Sequence, residues 1–369
     1  MPPLNLVHLI YDLGLGGAER QLYELATRLP SERYHQTIVR FKPAGEYAAR
    51  FVEHGINVLT VHKRQAIDLS FFTRLTRVLR ELKPDIVHSW MRTANLWGRA
   101  AALRLKPRPA IVAGVRNTHP GLPSWRRALI AYLGRRSTRV IGNSRAVAAQ
   151  MLKFGVPAER LAVIENGIDF SRFDREIDRP AVLKAEGLDP ELPMMLTIGR
   201  LIEQKDHATL IAAVKTLVEQ GARAQFAIIG DGPLTEQTRE LIEKARLAGR
   251  VHILKPRPQV EELVLACDVF VLPSLHEGFP NVLAEAMGCA KPCIATAVSG
   301  SVDMIEDGKR GFLIDVGDAK ALADRIARYL GDASLAAAHG AAAKAYIREN
   351  NSVEAMVDRY DALYTHISP

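Results

Sequence analysis

Apolar and polar positions along the 369-residue chain alternate between two kinds of stretch. Short aliphatic runs bounded by Gly, Pro, Asn or Asp read as buried strands, and longer stretches with apolar residues every three to four positions read as helices. The first half opens with a strand over 4–11, passes through the loop DLGLGGAER, and turns helical over 18–29. Further strands are expected at 37–41, 58–61, 86–88, 111–115 and 140–142. The second half repeats the plan, with a strand at 193–198, the loop GRLIEQKD and a helix over 207–220. Its later strands are expected at 226–229, 251–254, 269–272, 293–295 and 312–314, and the tail from Ala319 stays helical. Strands alternating with helices imply parallel sheets, because parallel neighbours need a crossover between them. The segment ENGIDFSRFDREIDRP (165–180) lacks aliphatic periodicity and carries charge, so it is expected to connect two domains, divided as 1–175 and 176–352. Ligands of such sheets sit outside the carboxyl ends of the strands, so two facing sheets predict a cleft.

Composition narrows the class without changing this picture. Hydrophobic residues make up 48% and charged residues 24%, as in a soluble globular protein of two-domain length. No apolar run is long enough for a transmembrane helix, and MPPLNLVHLIYD lacks the basic start and small-residue cleavage site of a signal peptide. Three cysteines, Cys267, Cys289 and Cys293, lack metal-site spacing and suit a reducing cytoplasm. The net charge of +8 conceals an asymmetry: residues 1–180 carry 29 Lys and Arg against 15 Asp and Glu, and the remainder carries 20 against 26. The basic half is expected to face something acidic, although diffuse solvated charge is the plainer reading.

The richest stretch runs from Leu272 to Pro292, LPSLHEGFPNVLAEAMGCAKP. An apolar run ends at Pro273, a polar loop follows to Pro280, Asn281 has N-cap chemistry, and helix formers continue to Gly288. Glu277 then stands in the loop and Glu285 on the second helical turn. A helix start suits phosphate, because its first N–H groups lack carbonyl partners and the dipole is positive there. Carboxylates repel phosphate but accept from hydroxyls, so the combination points to a sugar nucleotide. A glutamate pair alone fits an acidic surface loop as well.

The neighbouring loops add weight. Gly199-Arg200-Leu201 with Gln204-Lys205 follows the first strand of the second half. Arg200 and Lys205 place two cations where an α/β sheet binds ligands, Arg as a fork and Lys as a point charge, and together they suit a diphosphate. The turn Gly230-Asp231-Gly232-Pro233 reads equally as structural. Gly16-Gly17 stands where a strand passes into a helix and lets backbone amides approach an anion. It is not a full G-x-G-x-x-G fingerprint, so a nicotinamide nucleotide is not expected.

Taken in order, GGAER, NGID (166–169), GRL..QK, GDGP, DVFVLPS and the E-x7-E of EGFPNVLAEAMG resemble the retaining glycosyltransferases of family 4, group 1. The resemblance covers nearly the whole chain and is strongest over 199–317. It implies the GT-B fold, two Rossmann-like doubly wound parallel-sheet domains facing an interdomain cleft. Residues 1–175 would bind the acceptor and 176–352 the donor, with the last helix, 353–369, packing back on the first domain. The implied enzyme is a hexosyl- or glycosyltransferase that needs no metal and no cofactor. Glu285 would hold the donor ribose. Glu277 would face the transferred sugar, and Arg200 and Lys205 would hold the diphosphate as it leaves. The amides at Asn281 and Val282 would cap the distal phosphate, Gly199 and Asp231 would line the donor loops, and Gly16 and Gly17 would approach the phosphates. No D-x-D triplet occurs, so fixed cations and helix amides would do the electrostatic work of a metal. Many relatives carry a histidine just after the strand ending here at Val115, where this chain has Arg116-Asn117-Thr118-His119. Either His119 takes that role or Arg116 contacts an anionic acceptor or donor phosphate. His88 matches another family histidine and reads equally as structural.

Residues 124–139, SWRRALIAYLGRRSTR, place Trp125, Leu129, Tyr132 and Leu133 on one helical face flanked by arginines. Such a helix suits an anionic membrane surface, each cation contributing about 1 kcal/mol near the leaflet. Packing of that face on the sheet is the plainer reading. The expected partners are a nucleotide-sugar donor and a glycan or lipid-linked acceptor of surface polysaccharide or lipopolysaccharide synthesis. The expected place is the cytoplasm, peripheral on the inner face of the membrane. Nucleic acid is not expected, because the arginines are scattered and no aromatics interleave with them. Two other classes stay open: a nucleotide-sugar epimerase of the same architecture, and an inactive sugar-nucleotide-binding scaffold.

Overall fold

The computed structural model describes residues 2–14, 16–43, 45–117, 121–257 and 259–368. The chain forms two units, one of residues 1–167 with 353–369 and one of residues 168–352. Among the described residues the first unit has a sheet of seven strands: β1 (Leu4–Ile10), β2 (Tyr34–Arg40), β3 (Asn57–Thr60), β4 (Ile86–Trp90), β5 (Ala110–Val115), β6 (Arg139–Gly142) and β7 (Leu161–Val163). They lie all parallel in the order β3-β2-β1-β4-β5-β6-β7. The second unit has six: β8 (Met194–Ile198), β9 (Gln225–Ile229), β10 (Val251–Leu254), β11 (Val269–Leu272), β12 (Cys293–Thr296) and β13 (Phe312–Ile314). Their order is β10-β9-β8-β11-β12-β13, again all parallel. Both orders reverse direction beside the first strand of the unit, between β1 and β4 and between β8 and β11. That reversal opens the crevice in which doubly wound sheets bind ligands. The strands are near-continuous apolar runs because helices cover both faces of each sheet, as MMLTI, FAII and VFVL illustrate.

The domain boundary expected at 175/176 falls instead at 167/168. Ile168, Phe170 and Phe173 join the core of the second unit, and Gly288 leaves room for the Phe170 ring. A short 3-10 turn spans Phe170–Phe173, so its two aromatics follow neither strand nor helix spacing. Of the helical tail, Ala333–Asn351 stays in the second unit, where Ala343 and Ile347 are buried. Val353–Ile367 belongs to the first, burying Val353, Met356, Tyr360 and Tyr364 at helical spacing.

The helix Ser124–Arg136 does not present the single apolar face expected of it. Ala131 and Leu133 turn inward, whereas Trp125 and Tyr132 are 63% and 52% exposed. Tyr132 and Leu133 are adjacent, hence about 100° apart on the helix, so Leu133 can pack inward while Tyr132 meets solvent. Arg126 lies over the Trp125 ring at 5.0 Å and Arg136 over Tyr132 at 3.7 Å. The cysteines are free thiols, and burial pushes Cys267 up to about 12.

Candidate functional site

The chemistry-bearing residues of the second unit lie on loops leaving the carboxyl ends of adjacent strands. After β8 the backbone makes a tight excursion through Gly199. The aliphatic stem of Lys205 folds over it, and a Cβ on Gly199 would stand 3.0 Å from the Lys205 Cε. The Gly199 carbonyl in turn occupies the place a side chain on Gly230 would need. The GRL and GDG turns therefore pack backbone to backbone, which only glycine permits. Asp231 accepts from the Gly232 amide at 2.7 Å and the Thr235 hydroxyl at 2.8 Å, and these bonds hold its carboxyl below the usual range. Its carboxylate is thus engaged within its own turn.

The loop after β11 brings Glu277 to the loop after β8. Lys205 Nζ donates to Glu277 Oε1 at 2.5 Å, a largely buried ion pair between residues 72 positions apart. Gln204 binds the same loop: its main-chain carbonyl accepts from the Leu275 amide and its side-chain Nε2 donates to the His276 carbonyl, both at 2.8 Å. From the other side, Ser299 Oγ donates to the Glu277 carbonyl at 2.8 Å. Gly300 lies so close that a Cβ there would meet the Gly278 carbonyl at 2.7 Å. Arg200 is exposed on the β8 loop. Glu277 is 7% exposed and Glu285 only 2%. The helix after the loop spans Asn281–Gly288, and Pro280 rather than Asn281 is its N-cap. Asn281 is the first helical residue, so its amide and that of Val282 lie in the first turn, where N–H groups have no carbonyl a turn behind them. The arrangement offers fixed cations, a helix start and two sequestered carboxylates. An anion entering here competes with Glu277 for Lys205. A cavity of about 340 Å³ lies at the opposite, amino ends of β9 and β10, and none of these residues lines it.

In the first unit, Gly16 is the N-cap of the helix Gly17–Ala26. The Glu19 carboxylate rests where a Gly16 side chain would be, and burial, with Asp12 nearby, pushes its pKa up. The Gly16-Gly17 turn is thus open in backbone terms but already faced by an anionic group of the same chain. Arg116 follows β5 as expected, yet it is buried and pinned. Its guanidinium donates to Asn166 Oδ1 and to the Tyr360 hydroxyl at 3.4 Å, and lies 4.4 Å from the Trp90 ring centre. Burial lowers its pKa. The NGID motif serves the same interior, because Gly167 exchanges bonds of 2.9 and 2.8 Å with the Gln21 carboxamide. His88 is a buried core residue bonded to the Tyr364 hydroxyl at 2.7 Å, in keeping with its structural reading. His119 lies outside the described residues. Sequence reasoning assigned no role to Glu19, Gln204 or Ser299. Gln204, beside Lys205 in the GRL..QK motif, and Glu19, within GGAER, lay in motifs, whereas Ser299 carried no signal.

Comparison with known proteins gives two family matches. The profile described as Glycosyl transferases group 1 matches residues 178–346, and that described as Glycosyltransferase Family 4 matches residues 15–172. The candidate colanic acid biosynthesis glycosyltransferase WcaL of Escherichia coli K12 is 34% identical over 206 residues. That alignment covers 53% of this chain and 48% of WcaL, so the chain spans about half the length of this relative. The UDP-Gal:alpha-D-GlcNAc-diphosphoundecaprenol alpha-1,3-galactosyltransferase of Escherichia coli is 27% identical over 72% of this chain and 71% of its own. Among solved structures, Anabaena HepE in complex with UDP aligns with a TM-score of 0.88 at 22% identity, over 98% of this chain and 100% of that one. This likeness establishes the fold as GT-B, with two Rossmann-like units.

Proposed function

Because the chain belongs to the group 1, family 4 glycosyltransferases, we propose that it moves a sugar from a nucleotide-diphosphate donor to a hydroxyl acceptor, retaining the anomeric configuration and using no metal. The observation that carries this reading is the meeting of Lys205 and Glu277, with Arg200 on the same loop and Glu285 behind the helix start. A nucleoside diphosphate gains negative charge as it leaves, so fixed cations close to it lower the barrier. In this reading Lys205 exchanges Glu277 for the diphosphate, and Arg200 closes on it from the exposed side. Glu277, released, accepts from the sugar hydroxyls and stabilises positive charge at the anomeric carbon. Glu285 accepts from the ribose, while the amides at Asn281 and Val282 meet the distal phosphate. Retention rests on the family resemblance of the E-x7-E segment.

The acceptor is proposed to be a glycan or lipid-linked intermediate of surface polysaccharide synthesis. Relatives named for colanic acid, diphosphoundecaprenol-linked and lipopolysaccharide core substrates support this. Such an acceptor favours contact with an anionic leaflet, and the exposed Trp125 and Tyr132 with their arginines suit it. Among the described residues no helix is long and apolar enough to cross a membrane. A thermal-shift panel of UDP-, GDP- and ADP-sugars tests the donor, since a ligand bound by the native state raises its stability. With the donor so chosen, the product's anomeric configuration by NMR tests retention, and turnover unchanged by EDTA tests metal independence. Conversion of the donor to its epimer without an acceptor would instead favour an isomerase.

A further inference from the structure

We propose that Gln204 is a positioning residue: it fixes the segment leading into Glu277 against the β8 loop and so sets where Glu277 and Lys205 meet the donor. This rests on the transfer reading above. No charge and no transfer role falls to a carboxamide, yet Gln204 carries two of the three bonds between these loops. Its main-chain carbonyl takes the Leu275 amide at 2.8 Å, its side-chain Nε2 reaches the His276 carbonyl at 2.8 Å, and the next residue, Lys205, pairs with the next residue, Glu277, at 2.5 Å. The contacts run in step, 204 with 275 and 276, then 205 with 277, along loops that follow the neighbouring parallel strands β8 and β11. Beyond the strand ends no ladder supplies partners for main-chain groups, and the Gln204 side chain supplies one in its place. Ser299 closes the opposite side through the Glu277 carbonyl. With both sides held, the Glu277 carboxylate has little freedom to drift when Lys205 turns to a phosphate.

A carboxamide suits this task. It has an N–H to give to a carbonyl and does not titrate, so the brace is independent of pH. Glutamate at the same place has no donor for the His276 carbonyl and repels Glu277. Gln204 is only half-buried, outside the hydrophobic clusters of the unit, so losing its side chain leaves the core intact.

The test compares Gln204→Met, which keeps length without the N–H, and Gln204→Glu, which keeps shape without the donor. The readout is nucleoside-diphosphate release from whichever of UDP-glucose, GDP-mannose and ADP-glucose the thermal-shift panel selects. Misplacement of a reacting group by an ångström can cost about a hundredfold. Loss of one of two braces is expected to lower kcat by roughly tenfold, with donor KM changed less than about twofold and Tm within about 2 °C. In a Glu277→Gln background, Gln204→Met is expected to add little, because it acts through that carboxylate. Wild-type kcat in both Gln204 variants while Glu277→Gln is impaired overturns the proposal and leaves the transfer reading standing. Multiplying effects in the double variant also overturn it. A fully active Glu277→Gln removes the site reading and this proposal with it.

Discussion

Only 17% of the Lys205 side chain meets solvent, and the carboxylate opposite it is more hidden still. A pair so placed is costly to break from one side, since the group left behind keeps its charge and loses its partner. Lys205→Ala is therefore expected to lower Tm more than Lys205→Ala combined with Glu277→Gln, in differential scanning fluorimetry. In kcat/KM, Lys205→Ala and Glu285→Gln are each expected to lose about 1.5–3 kcal/mol of donor or transition-state binding, the range for hydrogen bonds to charged groups. In the first unit the informative residue is His8. Burial pushes its pKa down to about 3, against 6.5 in the unfolded chain. Between those values the unfolded chain binds the proton and the folded one does not, so stability rises with pH across that window. The contribution is complete above about pH 6.5 and is lost as the pH falls towards 3, at about 1.4 kcal/mol per pH unit. His88, lowered by the same burial, adds to the slope. Urea midpoints at pH 7.5, 6 and 5 check this, and His8→Gln is expected to flatten the dependence.

At the scale of elements, the loop carrying Glu277 is shaped as much by its neighbours as by its own residues. Gly300, in the short helix Ser299–Met304, admits no side chain, because a Cβ would stand 2.6 Å from Pro280 Cδ and 2.7 Å from the Gly278 carbonyl. Gly300→Ala is expected to cost about 1–3 kcal/mol in denaturant stability, as overpacking does, and to lower kcat by displacing that loop. Elements of this kind divide what was legible from what was not. The strands β10, β11 and β13 could be read directly, because VHIL, VFVL and FLI are short apolar runs closed by turn residues. The edge strand β7, LAV, is as short as β13 but has no fully buried residue, and it was not read. Glu285, Asn281 and the helix start were visible in one continuous motif, although Pro280 takes the capping position. The Lys205–Glu277 pair was not, since it arises where β11 lies beside β8 across two intervening strand–helix excursions. Arg116 was found by position, but its burial depends on Trp90, Asn166 and Tyr360, which the sequence scatters from 90 to 360.

For the whole molecule, the two units keep separate hydrophobic interiors, and the Lys205–Glu277 pair proposed to meet the donor belongs to the second. Ligand stabilisation in the thermal-shift panel is therefore expected to reach the second unit first, and hydrogen exchange at β8 and β11 should slow before exchange at β1 and β4. The closing helix Val353–Ile367 has a further effect. It places Met356, Tyr360 and Tyr364 in the interior that begins with Leu6 and Ile10, so the first of the two units awaits a helix that follows the second. On the ribosome, residues 168–352 emerge with everything their own interior needs, while 1–167 wait with one flank uncovered. The order of synthesis and the order of completion are thereby reversed. A nascent chain stalled near residue 352 should hold a finished second unit beside an open first one, the species on which a holding chaperone would act.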